Sequence, residues 1–114
     1  MATAIYYHPT RTSLDWHRRM VDSIGLDFLP TQSVGEMLKQ MATKPVPLVL
    51  LTSGGGYELA DVVFPIKARH GDARIVILSA MHAPDQLPDD VHAWICVADH
   101  EDIVRSRLKG SIEQ

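Results

Sequence analysis

Leu48-Val49-Leu50-Leu51-Thr52-Ser53-Gly54-Gly55-Gly56 is the stretch that decides the fold. Four consecutive apolar residues without polar alternation suit a strand buried on both faces, as in a parallel sheet covered by helices. The strand then stops at two hydroxyls and three glycines, which let the chain turn tightly with φ above zero. Ligands of open α/β sheets sit beyond the carboxyl ends of the strands, so a site is expected close to Thr52 and Ser53. No acid stands at that place.

Upstream, Ala4-Ile5-Tyr6-Tyr7 reads as a first strand ending at His8-Pro9, because proline cannot extend a central ladder. A helix follows, capped by Thr12 or Ser13, with Leu14, His17, Met20, Val21 and Ile24 at helical spacing until Gly25. Leu26 to Leu29 is a short second strand. Ser33-Val34-Gly35-Glu36 is a capping box ahead of Val34, Met37, Leu38 and Met41 at i, i+3, i+4 and i+7.

Downstream of the opening stretch, Tyr57 to Ile66 gives a third helix ending near His70-Gly71, with a kink or a division into two short helices at Pro65. Ala73 to Leu78 is a fourth buried strand ending at Ser79-Ala80, and Ala93 to Val97 is a fifth. Between them, Met81 to His92 carries Pro84, Pro88, Asp85, Asp89 and Asp90, which predicts a short or partly unwound crossover helix. Asp99 or His100 caps a last helix with Ile103, Val104 and Leu108 facing inward and a terminus or linker beginning at Gly110. Five strands alternating with helices imply an α/β three-layer sandwich with right-handed crossovers, a five-stranded parallel sheet in flavodoxin-like order 2-1-3-4-5.

A chain of 114 residues suits one domain spanning residues 1–114. Its net charge of −3 gives no electrostatic footprint for nucleic acid, so no direct nucleic-acid partner is expected. No apolar run approaches the roughly 18 residues of a membrane span, and the N-terminus lacks a signal-peptide pattern, so the expectation is a cytoplasmic protein without a membrane partner. The single cysteine, Cys96, rules out an internal disulfide and lies in the apolar run Trp94-Ile95-Cys96-Val97, where it reads as a small buried hydrophobe.

The order of segments resembles the receiver domain of two-component response regulators, CheY-like proteins, across nearly the whole chain. Pro47 to Leu51 looks like the strand that carries the phosphoacceptor. Gly56-Tyr57-Glu58-Leu59 looks like the opening of that family's third helix, and Ile75 to Ala80 like its fourth strand. The resemblance also implies a catalytic constellation that is mostly missing. His8 and Pro9 stand where the family has its Mg²⁺-binding acids, Thr52 where it has the phosphorylated aspartate, and Val97 where it has a lysine; Ser79 alone keeps the fourth-strand hydroxyl. Mg²⁺ needs hard oxygen ligands, and phosphoryl transfer to a carboxylate needs both metal and acceptor. The implied protein is therefore a pseudo-receiver, a non-enzymatic signal-transduction module that works independently of phosphorylation and has no cofactor. Its expected partner is another signalling protein or effector domain, or a second copy in a homodimer. The face expected to bind it is formed by a fourth helix, the fifth strand and the last helix, around Trp94, Asp99, Ile103 and Arg107.

A second reading is a small phosphocarrier or a phosphate- or flavin-type ligand-binding protein that uses His8, Thr52 and Ser79 at the strand ends. Thr10-Arg11-Thr12-Ser13 beside the glycines could cradle an anion through backbone N–H groups. A less favoured arrangement brings His8, His82, Asp99 and His100 together on a transition metal.

Overall fold

The computed structural model describes residues 2–9, 14–53 and 56–113. The elements run β1 (Thr3–Tyr7), α1 (Asp15–Ser23), β2 (Asp27–Thr31), α2 (Val34–Met41), β3 (Leu48–Thr52), α3 (Leu59–Arg69), β4 (Arg74–Ser79), β5 (Ala93–Cys96) and α4 (Glu101–Glu113). The five strands form one all-parallel sheet in the order β2-β1-β3-β4-β5, as the alternation of segments predicts.

β3 lies between β1 and β4, and its first four residues are buried. Successive side chains of a strand point to opposite faces. Leu48 and Leu50 accordingly join Ala4, Tyr6, Val76 and Leu78 in a core layer that also holds Met20 and Val21 of α1 and Val104 and Leu108 of α4. Val49 and Leu51 join Ile5, Ile75 and Ile77 in the opposite layer, with Met37 and Met41 of α2 and Val62, Val63 and Ile66 of α3. Each side chain fully removed from water in these layers contributes about 1.5–3 kcal/mol. Cys96 is buried, as its apolar setting predicts.

Local signals place the helix ends. Ser33 Oγ accepts the Glu36 N–H at 3.1 Å, which closes the predicted cap of α2. His100 caps α4 by accepting the Asp102 N–H on Nδ1 at 3.2 Å. Gly25 ends α1 at φ 83, a left-handed conformation that a side chain would oppose. Thr12 and Ser13, the expected caps of α1, lie outside the described residues.

Several expectations need correction. β2 runs on through Pro30 to Thr31. This is tolerated because β2 is an edge strand. Asp27 N–H donates inward to Ala2 C=O, so by alternation the ring nitrogen of Pro30 faces away from β1 and no ladder bond is lost. α3 starts at Leu59, not Tyr57, and passes through Pro65 as one helix of 11 residues. The carbonyl deprived of its donor belongs to exposed Asp61, where water can replace the missing bond, and Val62, Val63 and Ile66 anchor both sides of the proline in the core.

Ile103 is 44% exposed, while Val104 and Leu108 alone of that predicted trio are buried; Ile103 lies off the apolar stripe they define. α4 continues through Gly110 to Glu113 with Ser111 Oγ donating to Arg107 C=O at 2.9 Å, so these residues belong to the helix. The largest departure is between β4 and β5. No helix forms in residues 80–92; the two prolines and a residue with φ 65, Asp90, break any helical run.

Candidate functional site

The carboxyl ends of β1, β3, β4 and β5 bring His8, Thr52, Ser79 and Val97 to one end of the sheet, where the crevice of an open α/β fold is expected. What fills it is aromatic. Tyr6, facing the α1 side, lies with its ring 4.5 Å from His17 and 6.1 Å from His8, the His8 ring parallel to it within 4°. On the α3 side, Tyr7 and Tyr57 meet edge to face at 5.0 Å, a favourable quadrupole arrangement. The phenol of Tyr57 reaches back to β3 and accepts the Thr52 N–H at 3.1 Å. Gly56, at φ 84, supplies the left-handed turn just before it.

Both phenols are held neutral. Burial pushes the Tyr57 pKa up to about 12; the hydrogen bond from Thr52 opposes the rise and the neighbouring Tyr6 and Tyr7 phenols add to it. Burial also raises Tyr6, against the pull of its hydrogen bond with the Thr52 side chain. His17 moves the other way: burial first, then the charge of His8, lowers its pKa, and its Nδ1 is buried without a hydrogen-bond partner. These groups favour uncharged forms.

Ser79 is buried, and its Oγ accepts the Met81 N–H at 3.1 Å. Val97 N–H donates to Ser79 C=O at 2.8 Å and its side chain packs on the α1/α4 core layer. His8 N–H donates to Thr31 C=O at 3.0 Å, and Pro9 is exposed. The hydroxyls and backbone donors that would meet a phosphate at Thr52 and Ser79 are thus engaged within the chain.

The donor set does not fit Mg²⁺. The strand ends present phenols, hydroxyls and imidazoles in place of carboxylates, and among the described residues no three His, Cys, Asp or Glu side chains converge to hold a metal. This overturns the convergence of His8, His82, Asp99 and His100: His100 caps α4, and Asp99 Oδ2 accepts from Arg107 Nη1 at 3.1 Å. The proposed anion cradle at Thr10–Ser13, with Gly54 and Gly55, lies outside the described residues.

The residues expected to bind a partner are partly brought together. Asp99 and Arg107 pair with each other across the start of α4, and Arg107, Trp94 and Ala93 line one shallow depression with His92 and Gly110. Trp94 is half-buried against the α3-side core, and its Nε1 donates to Met81 C=O at 3.1 Å. Ile103 stands exposed on α4. The fourth helix expected to complete this face is absent.

The aromatic filling went unread in the sequence, although it had a signal. Tyr6 and Tyr7 close β1, and Tyr57 follows Thr52 by five residues, so all three were bound to reach the crevice.

No protein-family model matches this sequence, and no curated protein does. Solved structures do. A response regulator from Thermotoga maritima shares 15% identity over the full length of both chains, with a TM-score of 0.80. Response regulator protein TrrA from the same organism, in complex with Mg²⁺–BeF, shares 17% identity at TM-score 0.76, covering 97% of this chain and 99% of its own. TrrA in complex with histidine kinase ThkA matches at 16% identity and TM-score 0.75, covering 97% and 98%. The chain has the CheY-like fold of response-regulator receiver domains.

Proposed function

We propose that residues 1–114 act as one pseudo-receiver: a non-enzymatic signalling module that binds another protein without being phosphorylated. The observation that carries this reading is the state of Thr52. It stands at the end of β3, its N–H is taken by the Tyr57 phenol, and among the described residues no carboxylate cluster lies beside it. A phosphoryl acceptor needs a nucleophile and a metal to neutralise developing charge, and this crevice is built to exclude charge. Similar structures include a receiver bound to Mg²⁺–BeF and one bound to a histidine kinase, which supports a protein of a signalling pathway as the partner. The contact surface in this reading is the exposed side of β5 and α4 around Trp94, Asp99, Ile103 and Arg107.

Intact mass after incubation with a small phosphodonor and Mg²⁺ tests the first half. The expected result is no added phosphoryl group; a phosphoryl group mapped to His8, Thr52 or Ser79 refutes it. For the second half, Trp94→Ala and Arg107→Glu abolish capture of a signalling partner while His8→Ala and Thr52→Ala leave it intact. The reverse pattern would support the phosphocarrier reading instead.

A further inference from the structure

We propose that the groove between α3 and the turn at 88–90 docks a basic amphipathic helix of a partner protein, in the layer where a β4–β5 crossover would ordinarily lay a helix of its own.

Two parallel neighbours in a sheet are usually joined by a crossover that covers the sheet with a helix. Here residues 80–92 join β4 to β5 without one. Beside that connection is a cavity of about 320 Å³ lined by Leu59, Ala60, Val63 and Phe64 of α3 and by Pro88, Asp89 and Asp90. Phe64 is 75% exposed although it belongs to a helix whose neighbours Val62, Val63 and Ile66 are buried. Met81, which opens the connection, is 72% exposed.

The walls are preformed. Val91 N–H donates to Pro88 C=O at 3.2 Å, closing a turn, and Asp90 sits at φ 65, a conformation aspartate tolerates better than most residues. Met81 is clamped on both sides of its backbone, its N–H by Ser79 Oγ and its C=O by Trp94 Nε1, each at 3.1 Å. Met81 lies outside the cavity lining, but its fixed backbone and exposed, adaptable thioether suit contact with an apolar helix face.

Charge selects the occupant. Asp89 and Asp90 form the rim and Asp85 lies in the same connection, while Glu58 and Asp61 line a separate depression with Gly56 and Tyr57 at the start of α3. The four ion pairs among the described residues use none of these five carboxylates. An apolar floor with an acidic rim is complementary to a helix carrying apolar residues at i, i+3 or i+4 and i+7 and Lys or Arg on its flanks. This groove is separate from the Asp99–Arg107 surface, so failure of either proposal leaves the other standing.

The test is a display selection of helical peptides about 15 residues long against the full chain, with Phe64→Ser and Asp89→Lys as counter-targets. Both are exposed positions, so the variants keep the wild-type melting profile. The expected peptides combine an apolar stripe with basic flanks and bind each variant about tenfold or more weaker than wild type, the scale of one lost anchor. Selected peptides that lack the basic flanks, that bind both variants as tightly as wild type, or that fail to enrich at all overturn the proposal. So does self-association of the free chain that Phe64→Ser abolishes, since the occupant is then a second copy.

Discussion

Replacing Tyr57 by Phe removes one oxygen from the crevice and keeps the ring. The edge-to-face contact with Tyr7 at 5.0 Å survives, so the loss falls on the hydrogen bond from Thr52 N–H. An orphaned backbone donor costs about 1–3 kcal/mol when buried. Tyr57 and Thr52 are only partly buried and water can reach the vacated position, which puts the expected loss at about 1–2 kcal/mol. With about 2.1 cal/mol/K of unfolding entropy per residue, 114 residues give about 0.24 kcal/mol/K, so Tm should fall by about 4–8 °C. A spectroscopic readout separates this from general loosening. Because the folded pKa of Tyr57 lies near 12 against an ordinary 10, the neutral phenol's stabilisation is complete below pH 10 and lost as pH rises through about 12. Phenolate absorbance of the wild type should therefore show a late component near pH 12 that coincides with alkaline unfolding and is missing from Tyr57→Phe. A variant that melts within about 1 °C of wild type, or a wild type whose three tyrosines all ionise together near 10, refutes the sealed-crevice reasoning.

Acid should weaken the fold through two histidines. His17 and His92 both have lowered pKa values, His17 by burial and then the His8 charge, His92 by burial and then the charges of Lys67 and Arg74. Their contribution is present above the ordinary 6.5 and is lost as pH falls below it toward the lowered values, so the urea midpoint should drop as pH falls below about 6.5. In His17→Phe, which removes the unpartnered Nδ1, that drop should shrink and stability at neutral pH should rise by about 1 kcal/mol; an unchanged pH profile would exclude His17 as a source. Pro65→Ala restores a donor to the Asp61 carbonyl and should stabilise α3 by about 1–2 kcal/mol, less than the ~3 kcal/mol cost of an interior proline because the unfolded chain also gains freedom; urea unfolding that shows no gain would mean the helix has already absorbed the defect. Thr52→Asp alone should remain unphosphorylated in intact-mass measurements with phosphodonor and Mg²⁺, since one carboxylate does not build a metal site.

The sheet was legible because its signals are local and redundant. The unalternated run at Leu48–Leu51, stopped by hydroxyls and glycines, suited a doubly buried strand, and Ser33 and His100 announced their helices through side chains that then formed the caps. Pro30 and Pro65 misled for a shared reason: proline's cost depends on what its missing N–H would have met, an open edge in one case and a solvated carbonyl in the other, and neither is written locally. The connection from Ser79 to Ala93 was expected to be helical on topological grounds, and its own prolines and Asp90 prevailed over that rule. At the crevice, the missing acids were visible by position. Their replacement by interlocking phenols was only half announced: Tyr57 stands five residues past Thr52, but Tyr6 meets Thr52 only once β1 and β3 are neighbours.

Pro30 also governs what the sheet can do in company. Its ring nitrogen faces outward from β2, so an incoming strand finds no donor at the middle of that border, whereas β5 at the opposite border ends the sheet with four unsubstituted residues. Head-to-tail stacking of copies into a continuous ribbon requires both borders to accept a strand. The donor missing at Pro30 disfavours pairing at the β2 border, which works against head-to-tail growth of copies into a ribbon.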